Sequence, residues 1–346
     1  MGVIERMSHL NEGLRARLHG LKILLTEAPT SEFLDAIDEL VPSDDEVARW
    51  VHTTLASPTG APKLNVLVLH HGSPVLATTL RARQERWEIA TASIAPTLRI
   101  PHRDGFLEAA LSATRLPILI QDYFGPAEAD FRRQSVKRFD SYVLPLNGFD
   151  SDAYWRSTKI AADIRQAVRR TAGTAVVHDD RATLDWTIDT WEQRWADDPS
   201  DETRASADMR AVWPRLLEMG TVRTTALVAP DGTFVASNVT VADRGTLVGL
   251  ISARDISLGP SAGSIGTLAL VECIKSARAS GLSDFDLGGY HAYKRRITPE
   301  RRVAYEVAVA PRIIAPEHLA RARRTAGKAK RKLQGMTAIL MRRPSG

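Results

Sequence analysis

The chain has 346 residues, 44 % of them hydrophobic and 25 % charged, a balance that excludes a disordered or fibrous polymer and leaves room for two cores of ordinary size. Its single cysteine, Cys273, cannot close an internal disulfide, and no apolar run nears the roughly 18 residues of a membrane span. With a net charge of +5 and charged residues from Glu5 and Arg6 onward in place of a signal-peptide core, a cytoplasmic protein is the expectation.

Helices are predicted over 5–25 and 31–57. Met7, Leu10, Leu14, Leu18 and Leu21 keep helical spacing, and Ser43-Asp44-Asp45-Glu46 supplies a cap and an acidic first turn. Strand signals follow at Leu64 to Leu69, Val75 to Leu80 and Trp87 to Ile100, with His70-His71-Gly72-Ser73-Pro74 as a turn. His70 and His71 have no carboxylate or cysteine at ligand spacing, so no metal is expected. A helix over Gly105 to Ala113, a strand over Ile118 to Gln121, a helix over Ala127 to Arg138 and a strand over Ser141 to Leu146 close the first half.

The second half repeats that order. Asp150-Ser151-Asp152 caps a helix carrying Ile160, Ile164 and Val168, and a second helix sets Leu184, Ile188, Trp191 and Trp195 on one stripe. A third, Arg204 to Met219, contains Pro214 and ends at Gly220, predicting a kink and a glycine stop. Strands over Arg223 to Val228, Phe234 to Val241 and Thr246 to Ser252 are joined at Asp231-Gly232 and Arg244-Gly245. A glycine-rich turn then leads into a helix, Gly259 to Ser280, followed by a strand at Phe285 to Leu287 and another at Val303 to Ala310. Residues 312–346 hold ten Lys/Arg against Glu317 alone, so the basicity of the chain belongs to its tail. Two readings of that tail stand: a terminal helix docked through Leu319, Ala322, Ala326, Ala329 and Leu333, or contact with an anionic surface.

The turn before the helix is the most informative stretch. Gly259, Gly263, Gly266, Ser261, Ser264 and Thr267 crowd the helix start, and no acidic residue lies between Asp255 and Glu272. Unpaired amides and the positive end of the helix dipole favour an anion there, and glycines let a phosphate reach the backbone. The same residues also cap helices that bind nothing. Walker A is excluded because no lysine accompanies Thr267, and a dinucleotide fold because the turn follows antiparallel-looking strands. The corresponding stretch of the first half, Ala95 to His102, contains Pro96 and Pro101 and offers no such nest of amides.

This order of elements resembles the GNAT superfamily of acyl-CoA N-acyltransferases. Residues 150–310 are more specifically similar to the CelD/BcsL-type, FemAB-like members, through Asp286-Leu287-Gly288 followed by Tyr293-Lys294-Arg295-Arg296 and the glycine-containing helix start Gly259 to Thr267. The resemblance implies a mixed α/β (α+β) chain of two tandem GNAT-like domains: 1–148 degenerate, 149–312 binding an acyl-CoA, and 313–346 a basic helix or tail. It places pantetheine between the strands Thr246 to Ser252 and Phe285 to Leu287, with the pyrophosphate at Gly259, Gly263, Ser264, Gly266 and Thr267.

An amine attacking a thioester needs the reactants held together, a proton acceptor and an oxyanion donor. Asp286 is the first candidate base, against a structural hydrogen-bonding role; Tyr293 is a candidate proton donor to the leaving thiolate, against ring packing on the cofactor. Lys294 is assigned to the cofactor phosphates and Arg295 to an acidic acceptor, against solvated charge. Glu192, Arg194 and Trp195 are candidate acceptor contacts, although the spacing of Trp191 and Trp195 also suits a core stripe. The expected reaction moves an acyl group, most simply acetyl, from acetyl-CoA or another acyl-CoA to an amine on a small molecule or glycan precursor, without metal or nucleic acid. The alternatives are FemABX-type transfer from aminoacyl-tRNA and a non-catalytic protein that keeps the fold.

Overall fold

A computed structural model describes residues 20–309, apart from 59–61, 84–85, 97, 124–129, 132–133, 148–153, 156–157, 159, 196–204, 259–262 and 289–291. The predicted helix before residue 20 and the basic tail after 309 therefore lie outside the described residues.

The first half begins with a strand, β1 (Leu21–Thr26), where a helix is expected. Its six residues pair antiparallel with β2 (Lys63–His70), and that pairing overrides the helical spacing of the leucines. The expected helix over 31–57 is two, α1 (Ser31–Leu40) and α2 (Glu46–Ala56). Pro42 divides them, because a proline disfavours the helical conformation at the preceding Val41. Thr30 and Asp45 cap them, their side chains accepting from the amides of Phe33 and Ala48.

β2 turns at His71-Gly72, both at positive φ, into β3 (Ser73–Arg83). The strand expected over Trp87 to Ile100 ends early, as β4 (Arg86–Ile89), and gives way to a short 3₁₀ turn, Ala90–Ser93. The chain rejoins β3 at Pro101 to Arg103. Helix α3 (Leu107–Ala113), β5 (Ile118–Tyr123) and β6 (Ser135–Pro145) complete the half. The expected helix over Ala127 to Arg138 is corrected from Ser135 onward, where β6 pairs with the strand Arg301–Val309.

The second half contributes α4 (Ala161–Arg170), an unexpected edge strand β7 (Ala175–His178), α5 (Arg181–Trp195) and α6 (Ala205–Glu218), which runs through Pro214 to Gly220 at φ 72°. There follow β8 (Val222–Val228), β9 (Phe234–Asp243), β10 (Thr246–Arg254), α7 (Gly263–Ala279), β11 (Asp284–Asp286) and β12 (Arg301–Val309).

All twelve strands join one mixed sheet in the order β1-β2-β3-β4-β5-β12-β6-β11-β10-β9-β8-β7. The halves exchange strands at its centre: β12 lies between β5 and β6, and β6 pairs with β11. Helices α1 and α2 cover one face of the first half through Phe33, Ile37 and Ala48 on Leu67 and Ala77, while α3 covers the other. In the second half α5 and α6 cover one face and α4 with α7 the opposite one. Val51 and Leu55 of α2 share a core with Val212 and Trp213 of α6, so one helical layer continues across both halves.

Four buried charges sit under that layer. Asp208 of α6 meets Lys63 of β2 at 2.7 Å and Arg81 of β3 at 3.1 Å, and Arg81 also reaches Glu88 of β4 at 3.0 Å. His52 of α2 is buried too, its Nε2–H donating to the Arg99 carbonyl at 3.1 Å, and burial pushes its pKa from 6.5 down to about 4. The folded chain thus binds fewer protons here than the unfolded one between those values. Stability is complete above pH 6.5 and falls as the pH drops through the window, by about 3 kcal/mol in all. Urea unfolding at pH 7 and 4.5 is expected to show this loss, and His52→Gln, which keeps a donor for Arg99, is expected to lose less.

Candidate active site

β10 and β11 run parallel but pair over three residues only, Thr246 to Val248 against Asp284 to Asp286. β11 stops there. β10 continues to Arg254, still paired on its other edge with β9, past a bulge between Gly249 and Ile251. From Gly249 on, the edge of β10 that faced β11 has no strand partner among the described residues, so the lane that β11 fills between β10 and β6 continues as a slot in the sheet.

Two glycines fix the apex of the slot. Gly288 lies at φ 66°, and a β-carbon there would fall 2.4 Å from the Gly249 carbonyl oxygen. The backbones touch at a distance no side chain permits. Gly249, in the middle of a strand, is the residue whose meaning was legible but missed, since an interior strand glycine marks a bulge or a close approach.

Helix α7 follows β10 in the chain after a 3₁₀ turn, Ile256–Leu258, and residues 259–262, which lie outside the described residues. Ile265, Leu268 and Ala269 are buried against Leu227 and Ala236, so the first turn is anchored to the sheet. It has no acidic residue, Thr267 is half-buried, and a β-carbon at Gly266 would meet nothing within 4 Å among the described residues. The backbone places Gly263 and Ser264 in that turn, while Gly259 lies outside the described residues. The first-turn amides have no partner within the helix, and the space beside Gly266 is open to an anion.

Asp286 is sealed from solvent at 0 % exposure. One carboxylate oxygen accepts from Ser141 Oγ and from the Gly288 amide (2.9 Å), and the other lies 3.8 Å from the Arg302 guanidinium. It thereby ties β11 to β6, to β12 and to the glycine at the apex. These are the contacts of a structural carboxylate. The assignment of Lys294 to the cofactor is corrected: its ammonium is buried and donates to the carbonyls of Leu287 (2.6 Å) and Gly288. A cation so engaged holds the turn after β11.

Tyr293 is half exposed and Arg295 exposed, on the short 3₁₀ turn Ala292–Arg296, which Arg296 fastens to Asp163 of α4 at 2.7 Å. Glu192 is occupied by Ser206 Oγ (2.9 Å) and Arg210 (2.9 Å), a joint between α5 and α6. Arg194 is exposed in the last turn of α5, and Trp191 packs on the core beneath it. The backbone of Trp195 ends α5; its side chain is outside the described set. The structure thus brings Asp286, Gly288 and Lys294 together at the apex and sets the α7 residues beyond it. The α5 residues belong to the opposite face of the sheet. Among the described residues no group of three or more His, Cys, Asp or Glu stands close enough to hold a metal ion.

Residues 156–295 match the family model described as an acetyltransferase (GNAT) domain. Among solved structures, L-PGS from Bacillus licheniformis is similar over 87 % of this chain and 98 % of its own, at 11 % identity and a TM-score of 0.51. FemX aligns over 83 % and 97 % at 12 % identity with a TM-score of 0.46, and a tandem GNAT protein from the clavulanic acid biosynthesis pathway over 84 % and 99 % at 13 % identity with 0.44. No curated protein matches the chain. The fold is that of the GNAT acyltransferases, and residues 156–295 are the part of the chain that answers to their acetyltransferase domain.

Proposed function

We propose that the protein transfers an acyl group from an acyl-CoA to an amine acceptor. The observation that supports this reading is that β10 outruns β11 by six residues, so that its edge has no strand partner there among the described residues, and that a glycine-containing helix start follows it in the chain. Such an edge offers amides and carbonyls to a pantetheine arm, and the first turn of α7 offers unpaired amides to a diphosphate. The acyl carbon would then stand at the Gly249–Gly288 apex. In this reading Asp286 positions the apex through Ser141 and Gly288, Tyr293 protonates the departing thiolate, and the amine approaches from the α5 and α6 side past Arg194. The nitrogen forms its bond to the carbonyl carbon, the C–S bond breaks, the amine proton leaves to solvent, and solvent returns a proton to Tyr293.

The finer likeness to CelD/BcsL-type enzymes, through Asp286-Leu287-Gly288 and Tyr293-Lys294, favours an amine on a sugar or polysaccharide precursor. Aminoacyl transfer from charged tRNA is the rival donor chemistry, and the similarity to FemX keeps it in view. The basic tail is proposed as the contact with an anionic surface.

Calorimetry separates these donors. The wild-type protein is expected to bind acetyl-CoA, and Gly266→Asp to weaken that binding at least tenfold, because the new carboxylate competes for the same amides and repels the diphosphate. The same charge favours a helix start, so the melting temperature should hold or rise. Unchanged affinity would remove the phosphate from α7. A wild-type protein that ignores acetyl-CoA but binds tRNA would transfer the case to the aminoacyl reading.

A further inference from the structure

A polar row crosses the second-half sheet beneath α7. His178, Thr225, Asn238 and Ser252 are consecutive partners on β7, β8, β9 and β10 and so share a face. That face is the one α7 covers, because Ser237 and Val239, on either side of Asn238, turn to α5 through Thr187 and Ile188. The neighbouring rung, Leu227 and Ala236, is apolar and packs on α7. An asparagine in a central strand under a helix is costly, and this one is 4 % exposed. One end of its carboxamide is bound to Ser252, whose Oγ–H donates to Oδ1 at 2.8 Å; the other end, Nδ2, has no hydrogen-bond partner among the described residues. Whichever way the carboxamide is turned, one atom holds Ser252 and the other goes unpaired.

Ser252 itself is exposed. It lies four residues past Val248, the last residue of β10 paired with β11, on the open edge and on the α7 side. Asn238 therefore spends a buried amide on fixing the hydroxyl of an exposed residue that stands on the open-edged part of β10. We propose that Ser252, oriented by Asn238, is the point at which the slot reads an amide of the donor's arm. An amide offers both an N–H and a C=O and so matches the fixed hydroxyl in either orientation, and a pantetheine arm carries two of them. Ser252 is the contact; Asn238 is a positioning residue one strand behind it.

This inference rests on the acyl-CoA reading, and the test tells the two apart. Binding of CoA and of 3′-phospho-ADP, the fragment that stops at the diphosphate, is measured for the wild type, Ser252→Ala, Asn238→Leu and the double variant. Ser252→Ala is expected to weaken CoA about fivefold to tenfold and to leave 3′-phospho-ADP unchanged. Asn238→Leu should have a similar effect, with no further loss in the double variant, since both act through one hydroxyl. A purely structural Asn238 would change the melting temperature without changing the ratio of the two affinities. If Ser252→Ala leaves CoA binding intact, or weakens both ligands equally, the inference is overturned and the phosphate seat stands. If the wild type binds neither ligand, both fall.

Discussion

Asp208→Ala is expected to destabilise the protein by about 3–5 kcal/mol, the usual consequence of removing one partner from a buried ionic group. The carboxylate is 0 % exposed and receives both Lys63 and Arg81, so its loss removes the anion that the two buried cations share, leaving Lys63 the Ser57 carbonyl and Arg81 Glu88. Against a total stability of roughly 5–15 kcal/mol, this is a large fraction. Urea denaturation measures it, and the slope of the transition should stay as in the wild type, since the same surface is exposed on unfolding. Asp208 stands on α6 and its partners on β2 and β3, so the loss loosens the second half from the first. A cost below about 1 kcal/mol would mean that water already reaches the cluster.

A fragment beginning at residue 149 is expected to show no cooperative unfolding transition, although the GNAT family match lies wholly within it. It lacks β6, the strand that lies between β11 and β12. It also loses Tyr142, Leu144 and Leu146 from the core that holds Leu247, Val271, Ile274 and Phe285. Each large side chain is worth about 1.5–3 kcal/mol on burial, and together they rival the stability of an ordinary domain. Circular dichroism during heating decides the matter, and a sigmoidal melt of the fragment would show that β12 closes on its own half.

Much of this architecture was legible where local chemistry decides it. Thr246 to Arg254, the glycine-rich start of α7 and the short strand at Phe285-Asp286 declare themselves through alternation, glycine and helix spacing. What escaped depends on partners distant in sequence. Leu21 to Thr26 carries leucines at helical spacing and becomes a strand only because β2 offers an edge. Ser135 to Arg138 reads as the end of a helix until Val307 and Ala308 pair beside it. At the site, the same limit turned Lys294 from a surface cation into a buried clamp on Leu287 and Gly288. Ser252 looked like any strand serine, since only the register places Asn238 at its side and only the early stop of β11 leaves it uncovered.

The interleaving of the halves also bears on how the chain comes off the ribosome. β5 and β6 are complete by residue 145, yet the strand that separates them is not finished until residue 309. At ordinary rates of synthesis that interval lasts on the order of ten seconds. Throughout it the nascent first half carries an unfilled lane with a bare edge on each side, ready to accept a foreign strand. β12, translated after every other described strand, is the keystone of both halves, so a ribosome stalled anywhere before it leaves a chain exposed to aggregation and dependent on chaperones.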